Sequence, residues 1–533
     1  MACGFVSRQF KSSVSSEEAA AYALLTCEAP VGSYLVVEGG GRKWLAKVRE
    51  VYLEDIYSVA KTPVLTPEQE RAMPLRLGPA VAVLELVAEC SGDVCGPPAT
   101  PVPIHAEVRA PGPGEVGAML SLPRQGVLLG DLALPAGQAL EGEPVYLPLE
   151  ALRHHLLVVG TTGSGKTVLV KEIALQLANA GQNVVALDAV GHFYHLAYNG
   201  VPVKVLLPVT RGLAKRGPRA IARRAASRAL WGRRGKFKAR VFRRGKALSR
   251  IELEIVEPGP ARLEVYPWAL KSPSVLPQLH RAMPILTQQA RIFYRRVLQK
   301  AAEKAGSLSA EPLFQWLTSP SDDVQRGRPL VNYEKLGNDL GLHVSTMENI
   351  VRAILALVET ELVDVETAGG AKVGEPDYGR VLSGYAVVDL SGLNTHQQRL
   401  VVYRVLDAVY RVARPTTAVL IDEAHLFFPQ TRNEDEQAFI EAHLTRLTRL
   451  GRARGIGVVF ATHMPDDLND VVLQLANTKV VLRSDLKVLE KLGVPAGDRR
   501  FIAYAERGLA YFASFAYRYP LYVKVKKRAV HFG

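Results

Sequence analysis

Residues 156–170 read LLVVGTTGSGKTVLV, an apolar run broken by a glycine-rich stretch before helix-forming residues resume. The run 156–159 has the unbroken Leu and Val composition of a strand buried on both faces. Gly160, Thr161, Thr162, Gly163, Ser164, Gly165, Lys166 and Thr167 then form a phosphate-binding loop. Its glycines let successive backbone N–H groups turn inward around a phosphate, and the following helix N-terminus adds partial positive charge. Lys166 in this pattern neutralises β- and γ-phosphate oxygens, and the Thr167 hydroxyl ligates magnesium. The expected ligands are therefore ATP and Mg2+.

Working outward, the chain is built around a parallel α/β pattern. A helix is expected over 166–180 and a second strand over 183–187, ending in Asp188; later strands are expected at 385–390, 418–421, 457–461 and 479–482. Residues 418–423 read AVLIDE, four apolar residues closing on two carboxylates. A buried strand delivers such a pair at its C-terminal end, where open α/β sheets place ligands. Asp422 is then the magnesium residue and Glu423 the group that polarises the attacking water. Strands ending at Asp188 and near Asp389 separate the loop from Asp422 along the chain. The sheet is therefore expected to insert a strand between the two, leaving Glu423 to face the γ-phosphate, the arrangement of ATPases with a dedicated glutamate rather than of Ras-like GTPases.

Residues 447–457 read LTRLGRARGIG, just before the strand that ends at Thr462 and His463. A cation there can cover the γ-phosphate of an adjacent subunit, with Arg452 the first choice and Arg449 the second. Thr462 and His463, at a strand end beside the acid pair, fit a sensor of the γ-phosphate.

A chain of 533 residues is too long for one core. Short alternating runs at 34–37 and 81–86, set among Gly and Pro clusters, predict a small β-barrel over 1–145. The ATPase domain then occupies 146–533, with a mostly helical insertion at about 205–375 that departs from the βα alternation. Within it, 211–250 holds sixteen Lys or Arg and no Asp or Glu, more than the whole chain's net charge of +14. The basicity is local, and it points to a polyanion contact. Residues 236–241 and 251–255 alternate across Gly245 and predict a hairpin with one basic face. Residues 331–365 carry a turn at Gly341 and a helix capped by Ser345, with a faint helix-turn-helix pattern.

No apolar stretch approaches the roughly 20 residues that cross a bilayer, and the first residues lack a signal-peptide core, so a cytoplasmic protein without membrane insertion is expected. Cys3, Cys27, Cys90 and Cys95 match neither a disulfide framework nor a zinc motif. Cys90 and Cys95 are close enough to bridge, and reduced thiols are the expectation for a cytosol.

Together these residues resemble the HerA family of archaeal hexameric DNA translocases, within the larger HerA and FtsK group. The resemblance rests on GTTGSGKT at 160–167, YAVVDLSGL at 385–393, VLIDEAH at 419–425, RLGRARGIG at 449–457 and ATHMPDDL at 461–468. It implies a RecA-like P-loop ATPase core preceded by the family's HAS barrel, assembled as a homo-oligomeric ring, a hexamer in that family. The implied activity is ATP-driven movement along duplex DNA as a translocase or helicase, in DNA end processing with a NurA-type nuclease. Carried onto this chain, Lys166 and Thr167 bind nucleotide, Asp422 and Glu423 serve magnesium and water, and Arg452 is the finger in trans. The chain departs from the family pattern at His463 and Met464, where Gln-Arg is usual, and at Ala453, where Lys is common. The stretch 188–192 also lacks the acidic residue often found near His192. Two other functions share the motifs: a DNA pump of conjugation or virion packaging, and an ATP-gated DNA-binding switch.

Overall fold

Alternating inward apolar and outward polar residues close the N-terminal segment into a barrel. Its strands are β1 (Ala2–Val6), β2 (Ser13–Val14), β3 (Ala19–Leu25), β4 (Tyr34–Gly39), β5 (Arg42–Asp55), β6 (Leu77–Ser91), β7 (Val94–Gly96) and β8 (Glu107–Arg109). The order β2-β3-β1-β8-β4-β5-β6-β7, with β3 also pairing β6, closes the sheet on itself with antiparallel neighbours throughout. Val37, Trp44, Ala46, Val48, Leu84 and Val108 fill the interior. The runs read at 34–37 and 81–86 lie in β4 and β6. Strands β5 and β6 are longer than the sequence suggests, and register shifts along their pairing supply the bends a small barrel requires.

The structure is a computed structural model that describes residues 2–15, 17–55, 66–72, 77–325, 328–412 and 417–532. It divides into one unit of Met1–Leu149 with Thr478–Lys526, and a second of Glu150–Asn477 with Lys527–Gly533. In the first, the expectation of reduced thiols is corrected: Cys3 is bonded to Cys27 and Cys90 to Cys95. Cys90 and Cys95 face each other across β6 and β7, so the hairpin register itself brings the sulfurs together. A further hairpin, β9 (Val127–Ala133) and β10 (Ala139–Leu147), follows the barrel.

The second unit holds β11 (Leu156–Val159), β12 (Asn183–Asp188), β13 (Val203–Pro208), β14 (Phe237–Arg244), β15 (Ala247–Ile255), β16 (Ala261–Trp268), β17 (Pro320–Gln325), β18 (Arg328–Val331), β19 (Tyr385–Asp389), β20 (Thr417–Ile421) and β21 (Ile456–Thr462). Its main sheet runs β11-β21-β20-β12-β19-β13-β16-β15-β14. Pairing is parallel from β11 to β16 and antiparallel from β16 to β14. Strands β11, β20 and β21 are buried at every position, as their continuous apolar runs demand. The strand inserted between the phosphate-loop strand and the Asp422 strand is β21, which ends in Thr462.

The interval 205–375 contributes to the sheet as well as to helices. It opens with helices Arg211–Lys215 and Pro218–Ala229, continues with β14, β15 and β16, and then carries helices from Ser272–Val275 to Val344–Glu359. The expected hairpin is β14 and β15, turning at Gly245. Helices Asn332–Leu340 and Val344–Glu359 meet at Gly341, as the helix-turn-helix pattern suggests, but the second is capped by His343 rather than Ser345. They approach so closely that a Cβ on Gly337 would lie 2.8 Å from the Met347 Cγ.

The remaining strands, β22 (Thr478–Val481), β23 (Leu509–Ser514) and β24 (Leu521–Val525), belong to the first unit. There β22, β23, β24 and β9 pair antiparallel in that order. The stretch 479–482, expected as a further strand, is β22, and its pairing with β23 is antiparallel. Within this unit Asp498 accepts from Tyr522 Oη at 2.8 Å and pairs with Lys47 at 3.3 Å.

Candidate active site

Parallel strands in register deliver the singled-out residues to one edge of the sheet. Val159 pairs with Thr462, Phe460 with Ile421, and Ile421 with Leu187. The phosphate loop, Thr462–His463, Asp422–Glu423 and Asp188 therefore emerge side by side at the strands' C-terminal ends. In the loop, Gly163 and Gly165 adopt φ of 81° and 107°, left-handed conformations that favour glycine. Gly165 caps the helix Lys166–Asn179, so the N–H groups of its first turn face the loop. Lys166 and Ser164 are buried, and the Ser164 Oγ has no hydrogen-bond partner among the described residues.

Asp422 is buried, and its carboxyl is pushed up to about 7 by burial first and then by the charges of Glu423 and Asp188, against the pull of Lys166. Asp188 is likewise raised to about 6 by burial, although its carboxylate accepts from the N–H groups of Gly191, His192 and Phe193. Two buried acids short of positive charge, beside a lysine and the Thr167 hydroxyl, fit a divalent cation with phosphate oxygens. The orphaned Ser164 hydroxyl fits the same occupant.

Glu423 sits in left-handed backbone, φ 51° and ψ 51°, a costly conformation for a residue with a Cβ. That turn sends its side chain to His463, whose Nδ1 donates to Oε2 at 2.7 Å. His425 Nδ1 lies 3.6 Å from the same oxygen and 3.0 Å from the Thr462 Oγ1, which accepts from the Met464 N–H. His463 thus touches the carboxylate that sequence reasoning made the water residue. The sequence alone does not single out His425 and Asp188, although the histidine lies in the DEAH string itself and the aspartate ends a buried strand.

The structure does not bring Arg452 or Arg449 into this pocket. Both precede β21 and lie at the N-terminal edge of the sheet, opposite the phosphate loop. Arg452 is exposed, its Nη2 2.8 Å from the His154 Nε2, and Arg449 is an exposed residue of the turn Arg446–Leu450.

A stability consequence follows from the raised acids. Folded Asp422 and Asp188 hold protons to higher pH than in the unfolded chain, so they subtract stability as pH rises from about 4 to about 7. Asp422→Asn is expected to stabilise the metal-free protein at pH 8, by at most about 4 kcal/mol at about 1.36 kcal/mol per pKa unit, and to flatten that pH slope. Thermal unfolding between pH 5 and pH 8, with and without Mg2+, checks this; a variant less stable than the parent at pH 8 contradicts it.

The family model described as "Helicase HerA, central domain" matches residues 134–409, and "Helicase HerA-like C-terminal" matches 401–483. The chain is 29% identical to the DNA double-strand break repair helicase HerA of Pyrococcus furiosus, over 18% of this chain and 23% of that protein. It is 26% identical to the probable DNA double-strand break repair helicase HerA of Methanocaldococcus jannaschii, over 23% of this chain and 25% of that protein. The matched stretch spans about a quarter of each relative's length. Among solved structures, VirB4 of Thermoanaerobacter pseudethanolicus is similar at 12% identity and a TM-score of 0.48, over 76% of this chain and 97% of that one. The bacterial plasmid coupling protein TrwB, in complex with ADP and Mg2+, is similar at 16% identity and a TM-score of 0.45, over 76% of this chain and 90% of that one. Among the described residues no helix is long and apolar enough to cross a membrane. With the phosphate loop and acid pair at one sheet edge, and the central-domain model matching more than half of the chain, the protein belongs to the HerA helicase family.

Proposed function

We propose that the protein is an ATP-hydrolysing motor that moves duplex DNA through a homo-oligomeric ring, a hexamer, and serves DNA end processing with a nuclease partner. The observation that carries the catalytic part is Glu423, held by His463 at 2.7 Å at the sheet edge that also bears the phosphate loop. Lys166 binds the β- and γ-phosphates of ATP, and the loop N–H groups hold the β-phosphate. Thr167 and Asp422 hold Mg2+, which when bound neutralises charge on the phosphate oxygens. Glu423 takes a proton from the attacking water, and Thr462 and His463 register loss of the γ-phosphate through their contacts with His425 and Glu423. Arg452, or Arg449 beside it, reaches the γ-phosphate in a neighbouring subunit. The repair reading rests on the names of the two relatives, which the chain matches over only part of their length.

DNA contact is assigned to the basic segment. Of its sixteen cations, Arg211, Lys236 and Arg250 alone are ion-paired among the described residues. Lys238 and Arg240 stand opposite Glu254 and Glu252 in the hairpin, but those carboxylates pair with Arg262 and Arg250 instead. A register shift after Phe242 puts Arg243 and Arg244 beyond the alternation, and Arg216, Arg219 and Arg243 line an open cleft of 580 Å³. Uncompensated guanidinium groups on an exposed hairpin suit phosphates without reading bases. The helix Val344–Glu359 suits them less: its exposed Arg352 is paired with Glu348, which disfavours the switch reading.

Affinity for linear duplex DNA is expected to fall about 10³- to 10⁵-fold between 50 and 200 mM salt, on the basis of six to ten phosphate contacts. Fluorescence anisotropy on two unrelated duplexes, with the wild type and the triple variant Lys238→Glu, Arg240→Glu, Arg243→Glu, measures it. The variant should weaken both duplexes alike and flatten the salt slope. Salt-insensitive binding, or a variant that binds as the parent does, would count against the assignment.

A further inference from the structure

Away from the nucleotide pocket, three histidines meet in the second unit. His192 and His195 lie in the turn and 3-10 helix that follow β12, and His531 comes from the segment 527–532. One ring nitrogen of each lies within 4.8 Å of the other two. The site is walled by aromatic rings: Trp231 stacks on His192 at 4.3 Å, and Phe532 packs on His195 at 4.8 Å. His195 is fully buried. Its Nε2 and the His192 Nδ1 are buried without a hydrogen-bond partner among the described residues. A buried nitrogen left unpaired costs the full desolvation of that atom, and two in one cluster call for an occupant.

The groups around the rings fix their orientation. Lys171, on the helix that opens with Lys166, donates to the Val530 carbonyl at 2.5 Å. Its Nζ also lies 3.4 Å from the Nδ1 of His195 and of His531. It therefore faces the ring nitrogen of His195 opposite the unpaired Nε2. The segment is anchored independently: Glu172 Oε1 accepts from the N–H groups of Arg528 and Ala529, and the Asn199 side chain bonds the Arg528 carbonyl and the Val530 N–H.

We propose that His192, His195 and His531 form a transition-metal site that takes Zn2+ through imidazole nitrogens and pins the segment 527–532 to the 3-10 helix that follows β12. Imidazole is a ligand suited to zinc, which binds it at about 2.0–2.1 Å in tetrahedral sites. That geometry sets ligand nitrogens about 3.3 Å apart, so binding draws together ring nitrogens that here lie within 4.8 Å of one another. Three protein nitrogens leave the fourth position to water. Zinc would thus add a clamp between the segment 527–532 and the turn that follows Asp188 at the end of β12.

The test uses the untagged full chain, stripped with a chelator and dialysed, with Zn2+ followed by calorimetry and bound metal counted by elemental analysis. The wild type is expected to bind zinc at the triad, with His195→Ala and His531→Ala each weaker by on the order of 100-fold or more, since even outer contacts cost about 10- to 100-fold. His396→Ala, which removes an exposed histidine elsewhere, should bind as the wild type does. Glu423, His425 and His463 also gather donor atoms, so His463→Ala is included and should keep the zinc assigned here. Thermal unfolding reports whether each variant folds. Co2+ on the wild-type chain gives a reading free of variants, because tetrahedral nitrogen ligation produces intense visible bands that the hydrated ion lacks. Zinc affinity unchanged in both triad variants, no zinc on the wild type, or a Co2+ spectrum of the hydrated ion would overturn the site.

Discussion

Glu423→Gln is expected to slow ATP turnover by about 10²- to 10⁴-fold, the range typical of a lost general base, while leaving nucleotide binding intact. The geometry underlies both halves of this expectation. Glu423 lies at the end of β20, one strand removed from the phosphate loop, because β21 separates β11 from β20. A γ-phosphate held by Lys166 would then face it across the width of one strand, which leaves room for water. Glutamine keeps the shape and can still contact His463 but cannot take a proton, so bound ATP persists. Single-turnover hydrolysis and equilibrium binding of labelled ATP separate the two effects. A variant that hydrolyses at the parent rate would remove Glu423 from the mechanism, and one that fails to bind nucleotide would make its role structural.

Arg452→Ala is expected to cost about 10³- to 10⁵-fold in turnover, the contribution of an arginine finger. Arg452 is exposed at the sheet edge opposite its own phosphate loop, with an exposed hydrogen bond to His154. From that edge it can act on a γ-phosphate only in another copy of the chain. Mixing makes this specific: Glu423→Gln and Arg452→Ala chains, each inactive alone, should regain turnover together. The first supplies the arginine and the second an intact pocket. Turnover unaffected by Arg452→Ala moves the finger to Arg449 or elsewhere, and mixed chains that stay inactive place the loss within one subunit.

Much of the site could be read from the sequence because its signals are local. A phosphate loop needs its glycines, lysine and threonine in one turn, and a buried strand ending in Asp422 and Glu423 announces itself by four apolar residues. The positions of β11, β12, β19, β20 and β21 followed from the same continuous runs, with ends shifted by a residue or so. Harder to see was anything set by pairing between distant segments. That β21 is the strand beside β11, and that β22 lies antiparallel to β23 in the unit of the barrel, depends on which edge each short apolar strand finds. Strand β13 straddles the start of the interval 205–375 and β16 lies inside it, where charge and helical runs hide their parallel pairing. The hydrogen bond from His463 to Glu423 joins residues forty apart in sequence through the β20–β21 register, and spacing alone does not show it. The three-histidine cluster likewise needs a segment that returns from the far end of the chain.

The most direct test of the central claim, that Lys166, Asp422 and Glu423 work on one triphosphate for the sake of DNA, is the rate of ATP hydrolysis by the purified full chain. It should be measured with Mg2+, at low salt, with and without linear duplex DNA. The account predicts turnover that depends on Mg2+, rises when DNA is added and disappears in Lys166→Ala. A chain that leaves ATP uncleaved with and without DNA, or cleaves it equally well after Lys166→Ala, would contradict it.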